Sequence, residues 1–121
     1  MRLNTGEVLT MQIYGFNHDN KASGGKAGIT FGTKSVMAAT RPMDTTFGKL
    51  GGWNESGLRA WMNSDLLLSM PSDLQTSIKP VIKKSALGDG TTTLKDSTDS
   101  VFVFSEVELN GTASRSCSGE G

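Results

Sequence analysis

The residues best able to recognise a ligand stand together in GGWNESGLRAWMNS, residues 51–64, where Arg59 and Asn63 lie four apart and Trp53 and Trp61 flank the arginine. A guanidinium reads a carboxylate or paired sugar hydroxyls through a planar fork, and a carboxamide one helical turn away completes such a site. An indole offers either a stacking platform for a sugar ring or a large buried anchor. Arg59, Asn63 and Trp53 are therefore the candidate ligand contacts. Each has a structural alternative, and the alternative is the favoured one. Helical spacing with Leu58 and Met62 makes the tryptophans core braces, and Arg59 more often ties a loop carbonyl or Glu55 to its helix.

No other stretch assembles a catalytic set. His18, Asp19 and Asn20 are metal-ligand types, but three adjacent loop residues cannot all face one ion without a helper, and none is visible. They read as a solvated turn. Glu106 and Glu108 have the types of an acid/base pair, yet their place at the start of a helix explains both as capping residues. Cys117 is the single cysteine, so there is no internal disulfide, and without a histidine beside it the thiol reads as a small residue of a polar tail. The expectation is a non-enzyme with no metal and no cofactor.

Composition narrows the partners. Twelve basic and twelve acidic residues cancel, and no basic run exceeds Lys83-Lys84, which excludes the footprint needed to neutralise several phosphates. Nucleic acid is not expected. The first residues, MRLNTGEVLTMQIYGF, lack the roughly 7–15 apolar residues of a signal peptide, and nothing later approaches a membrane span. A chain of 121 residues forms one core. The division expected is one α+β domain over residues 1–111 and a polar tail over 112–121.

The positioning elements follow from periodicity. Fifteen glycines against three prolines point to short strands and tight turns. In EVLTMQIYGF (7–16) the alternation puts Leu9, Met11 and Ile13 on one buried face. NHDNKASGGKAG (17–28) has almost nothing to bury and reads as an exposed loop. GITFG and SVMAAT add two strands to a meander. Asn54 is the expected N-cap of a helix whose stripe is Leu58, Trp61, Met62 and Leu66, with Gly57 marking a close backbone approach. Ser72 and Gln75 form a capping box for a second helix, in which Leu74 and Ile78 turn inward before Pro80. Residues 81–98 form a hairpin around Gly88-Asp89-Gly90. SVFVFS (100–105), apolar on both faces through Val101, Phe102, Val103 and Phe104, reads as a central strand. Ser105 to Glu108 repeats the capping box, and Asn110-Gly111 stops a last helical turn. The fold class is α+β, with antiparallel hairpins and two short helices inserted mid-chain.

Trp53, Ser56, Leu58-Arg59, Trp61, Met62-Asn63, Ile78-Lys79 and Phe104-Ser105-Glu106-Val107 together resemble the pattern of a bacterial and prophage domain family of unknown function. The resemblance implies a gut-bacterial or phage setting, in proteins similar to tail or surface components, and a layout similar to C-type-lectin-like folds. It also implies a downstream segment that this sequence does not contain, so the chain reads as partial. The function expected is a non-catalytic module of a phage tail or surface protein, virion-associated or cytoplasmic, binding a glycan or a protein. The alternative is an assembly piece that self-associates. Because nothing after Gly111 covers SVFVFS, a homo-oligomer is expected through that strand's free edge.

Overall fold

The computed structural model describes residues 1–44, 50–111 and 119–121. The chain is α+β, with antiparallel strands in two separate sheets. Strand β1 (Met11–Phe16) pairs with β3 (Ile29–Thr33) as a two-stranded ribbon. Strand β2 (Asn20–Lys21) leaves that ribbon and joins β4 (Val81–Ala86), which pairs on its other side with β5 (Leu94–Asp99). The expected meander is thus interrupted: the polar loop 17–28 contributes a strand to the other sheet, and Val36 and Ala38 form no strand, Val36 being 92% exposed.

A short 3₁₀ turn (Trp53–Glu55) precedes a helical run made of α1 (Gly57–Trp61), a π-helical stretch (Met62–Leu66) and α2 (Leu67–Ser69). The cap of α1 is Ser56 rather than Asn54, because the 3₁₀ turn consumes Asn54 and Glu55; the Ser56 hydroxyl accepts from the Arg59 amide at 3.0 Å. Helix α3 (Ser72–Ser77) begins at Pro71 without a side-chain cap, since Gln75 is turned back to donate to the carbonyls of Met70 and Leu68. Helix α4 (Glu106–Asn110) keeps the full capping box of Ser105 and Glu108 and ends on left-handed Gly111.

The close approach expected at Gly57 falls at Gly52. Its φ is 56°, and a Cβ there would collide with the Ala86 carbonyl, so the passage before the first helix is threaded against the end of β4. SVFVFS is not a strand: residues 102–105 belong to no helix or strand and have no ladder partners among the described residues. Its apolar groups are held by ring contacts instead, with Phe104 tilted against Tyr14 at 4.9 Å and edge-on to Phe102 at 5.9 Å. Beside β4 lies the tail, whose Gly121 exchanges two backbone hydrogen bonds with Lys84 while the Glu120 carboxylate accepts from the Ala86 amide. The rest of the expected tail, including Cys117, lies outside the described residues.

Leu3, Leu9 and Leu66 form the buried centre, with Trp61, Met62 and Met70 packed against it. Leu58, Leu74, Ile78, Phe102 and Phe104, expected in the core, are half-buried. Met11 and Ile13 depart further, at 36% and 47% exposed. The register of the ribbon explains why. Ile13 pairs with Phe31 and Gly15 with Thr30, so Tyr14 is the extra residue of a bulge. One face therefore carries Met11, Ile13, Phe31, Ile29 and Phe16, and the opposite face carries Thr30, Gly32 and Tyr14. The second face is the one attached to the domain, through Thr30 and the Tyr14 ring. Gly32 allows that attachment, for a Cβ there would meet the Tyr14 ring at 2.6 Å.

Candidate functional site

The three candidate ligand residues meet at the C-terminal end of β5, where Asp99 is fully buried. Its Oδ2 accepts from the Trp53 indole Nε1–H at 2.9 Å and from the Ser97 hydroxyl at 2.7 Å, and its Oδ1 from Arg59 Nε at 2.6 Å. Arg59 also donates through Nη1 to the Asn54 carbonyl and through Nη2 to the Thr98 carbonyl. Asn63 is equally occupied: its amide donates to the carbonyls of Arg59 and Val101, and its oxygen accepts from the amides of Ser100 and Val101. The stretch 51–64 is therefore a clamp that fastens α1 to the end of β5. Arg59 ties two carbonyls, as its structural reading anticipates, but its charged partner is Asp99 forty residues on, not Glu55.

The two tryptophans differ in burial. Trp53 is the buried one, at 8% exposure, and Trp61 is half-buried with the Arg41 guanidinium 4.3 Å over its ring. Burial thus closes Trp53 to a sugar, and the guanidinium covers one face of Trp61.

A second knot was illegible in the sequence. Pairing of β2 with β4 carries Asp19 beside Lys83, and the capping box turns Glu108 toward the same point. The Lys83 ammonium donates to Asp19 Oδ1 at 2.9 Å and to Glu108 Oε1, with all three side chains no more than 5% exposed. Thr30 donates to Asp19 Oδ2 at 2.6 Å, the Ser105 amide donates to Glu108 Oε2, and the Phe102 ring lies 4.2 Å from the ammonium. His18 stands at the rim, half-exposed, 3.5 Å from Glu108 and 3.9 Å from Asp19. The helper that His18 and Asp19 lacked in the sequence is thus Glu108, and the three fit a metal site by distance. Lys83 already bonds the two oxygens that would face the ion, so the cation of this site is its own lysine.

Burial pushes the Asp19 carboxyl up, but the hydrogen bonds of Thr30 and Lys83 and the charges of Lys83 and His18 outweigh it and hold the group below its ordinary range. A depressed carboxyl contributes stability that is present above its unfolded value, about 4, and is lost as pH falls through the folded value. Asp19→Asn is therefore expected to be less stable than the parent at pH 7, with the difference closing below about pH 4 in urea titrations at several pH values. A pH-independent difference would deny Asp19 this role.

Next to this knot opens a groove of about 960 Å³, walled by Met11, Phe31, Leu74, Ile78, Phe102 and Phe104. Its size is that of a ligand site, and its lining is mostly apolar, with Lys21, Lys26 and Lys79 among the polar residues that line it. A smaller hollow of about 390 Å³ lies between Arg41, Trp61 and Leu68. Among the described residues no hydroxyl or thiol is hydrogen-bonded to His18, so no nucleophile–base pair is formed there. The profile of a family described as a domain of unknown function, DUF6273, matches residues 27–121. No curated protein is matched significantly by the chain, and no solved structure is either, the C-type-lectin-like folds included.

Proposed function

The chain belongs to the DUF6273 family of domains of unknown function, and from that premise we propose that it is a non-catalytic module that binds a protein surface through its apolar groove. The observation that carries this reading is a division of labour. The charged and amide groups able to do chemistry, Arg59, Asn63, Asp99, Lys83, Asp19 and Glu108, are turned to partners inside the chain. The groove is left mainly to apolar side chains, Met11, Phe31, Phe102 and Phe104 among them, with Lys21, Lys26 and Lys79 also in its lining. Glycan binding is the weaker form of the reading, since the tryptophans considered as sugar platforms are engaged within the chain, Trp53 by burial and Trp61 by the Arg41 guanidinium. The motifs around Trp53, Arg59 and Ser105 support a setting in a phage tail or bacterial surface protein, where such a module would join larger components.

The test is retention of the immobilised chain on two panels, one of apolar peptides and one of glycans. Peptides should be bound and the Phe31→Asp variant, changed at a half-exposed groove wall, should lose them at least tenfold, about 1.4 kcal/mol. Glycan retention indifferent to Phe31 would overturn the reading.

A further inference from the structure

The β1–β3 ribbon carries the most conspicuous unfinished surface of the molecule. Its outward face holds Met11 at 36%, Ile13 at 47%, Phe16 at 67%, Ile29 at 45% and Phe31 at 53% exposure. The bulge at Tyr14 is what gathers them, since residues three apart in β1, Ile13 and Phe16, would otherwise face opposite ways. Neither MQIYGF nor ITFGT contains a charged residue, so the edges lack the lysines and glutamates that normally keep strands from pairing with one another. A ribbon of two strands is marginal by itself and gains stability from further cover.

We propose that this face is an interface with a second copy of the same chain, the two ribbons packing face to face about a twofold axis. The inference deepens the reading of the apolar surface given above and names its partner. Three features single out a copy of this chain. A twofold axis sets each residue group against itself, which an uncharged apolar face tolerates and a charged one does not. Formal net charge is 0 with twelve groups of each sign, so two copies meet without long-range repulsion. The five residues expose roughly 450 Å² per copy, the size of the largest apolar patch of a typical monomer, which is often a functional one. Doubling it gives roughly 900 Å² for the pair, and the groove walls not yet counted, Phe102 and Phe104, lie beside the ribbon to bring the interface to the ~1,000 Å² that a specific one requires.

Sedimentation equilibrium over about two decades of micromolar concentration tests this. The parent mass should rise toward two chains. Ile13→Lys, at a half-exposed position, should keep one chain mass throughout with an unchanged tryptophan spectrum, and Phe16→Lys serves where that variant fails to fold. Val36→Lys, exposed but off the ribbon, should dimerise like the parent. Three results would overturn the inference: a parent of one chain mass, an Ile13→Lys and Phe16→Lys that both still dimerise, or loss of the dimer in Val36→Lys as well. A monomeric parent that still binds apolar peptides in a Phe31-dependent way removes the dimer and leaves the module reading standing.

Discussion

Replacing Asp99 with alanine should be the most damaging single change in the clamp, lowering stability by about 3–5 kcal/mol. That is a large share of the roughly 5–15 kcal/mol expected of a domain this size. The reason is the number of donors that converge on one carboxylate at 0% exposure. Its loss strands the Trp53 indole N–H and the Ser97 hydroxyl in the interior and leaves Arg59 with carbonyls alone. The Arg59 side chain is 29% exposed, so water recovers part of its solvation and the larger penalty falls on the two buried neutral donors. Asp99→Asn separates these effects. A carboxamide can still accept from Trp53 and Ser97 but no longer balances the guanidinium, so its cost should be roughly half that of alanine. Urea midpoints give the magnitudes, and Trp53 emission, shifted to longer wavelength only when the indole is released, reports where the damage occurs. An Asp99→Ala variant within about 1 kcal/mol of the parent, with its emission unmoved, would mean that the clamp is not what joins α1 to β5.

What could be read from the sequence was what depends on neighbours in the chain. The β4–β5 hairpin followed from Gly88-Asp89-Gly90, the helix after Trp53 from its 3.6-residue stripe, and the capping box of α4 from Ser105 and Glu108, all local signals. Pairings over long separations could not be read. Nothing in NHDNKASGGKAG announces that Asn20 and Lys21 will pair with β4, yet that pairing buries Asp19 and creates the second knot. Alternation in EVLTMQIYGF correctly marked an apolar face, but period two cannot say whether that face meets the core or a partner, and the bulge at Tyr14 is silent in the sequence. SVFVFS misled for a related reason: a run apolar on both faces suits a buried strand, and it equally suits a segment outside any ladder whose Phe102 and Phe104 are held by rings and by the Lys83 ammonium. For the candidate site, Arg59 and Asn63 were identified by type, while their occupation by Asp99, Thr98 and Val101 depended on where β5 ends.

The second knot allows a sharper experiment than loss of stability, because its pH dependence should change sign. Lys83→Met removes the ammonium bonded to both carboxylates, which are each about 95% buried, and at neutral pH the cost should be about 3–5 kcal/mol. The methionine fills a similar volume and keeps contact with the Phe102 ring, so little of that cost is cavity. In the parent, Asp19 is held below its ordinary range, and acid therefore destabilises the fold. In the variant Asp19 keeps its burial, loses the Lys83 hydrogen bond and charge that lowered it, and faces the Glu108 carboxylate with no ammonium between them, so its folded value should rise above the unfolded one. A raised carboxyl is protonated first in the folded state, so the variant should gain stability as pH falls from about 7 toward 5, the interval over which the parent hardly changes. Glu108→Gln added to Lys83→Met should restore most of the loss at pH 7 and flatten the gain, since one carboxylate then has no like charge opposite it. Stability of Lys83→Met that falls with pH in parallel with the parent would show that the two carboxylates already reach water or another cation. The knot then could not be what fixes α4 and the Phe102–Phe104 wall of the groove against β4.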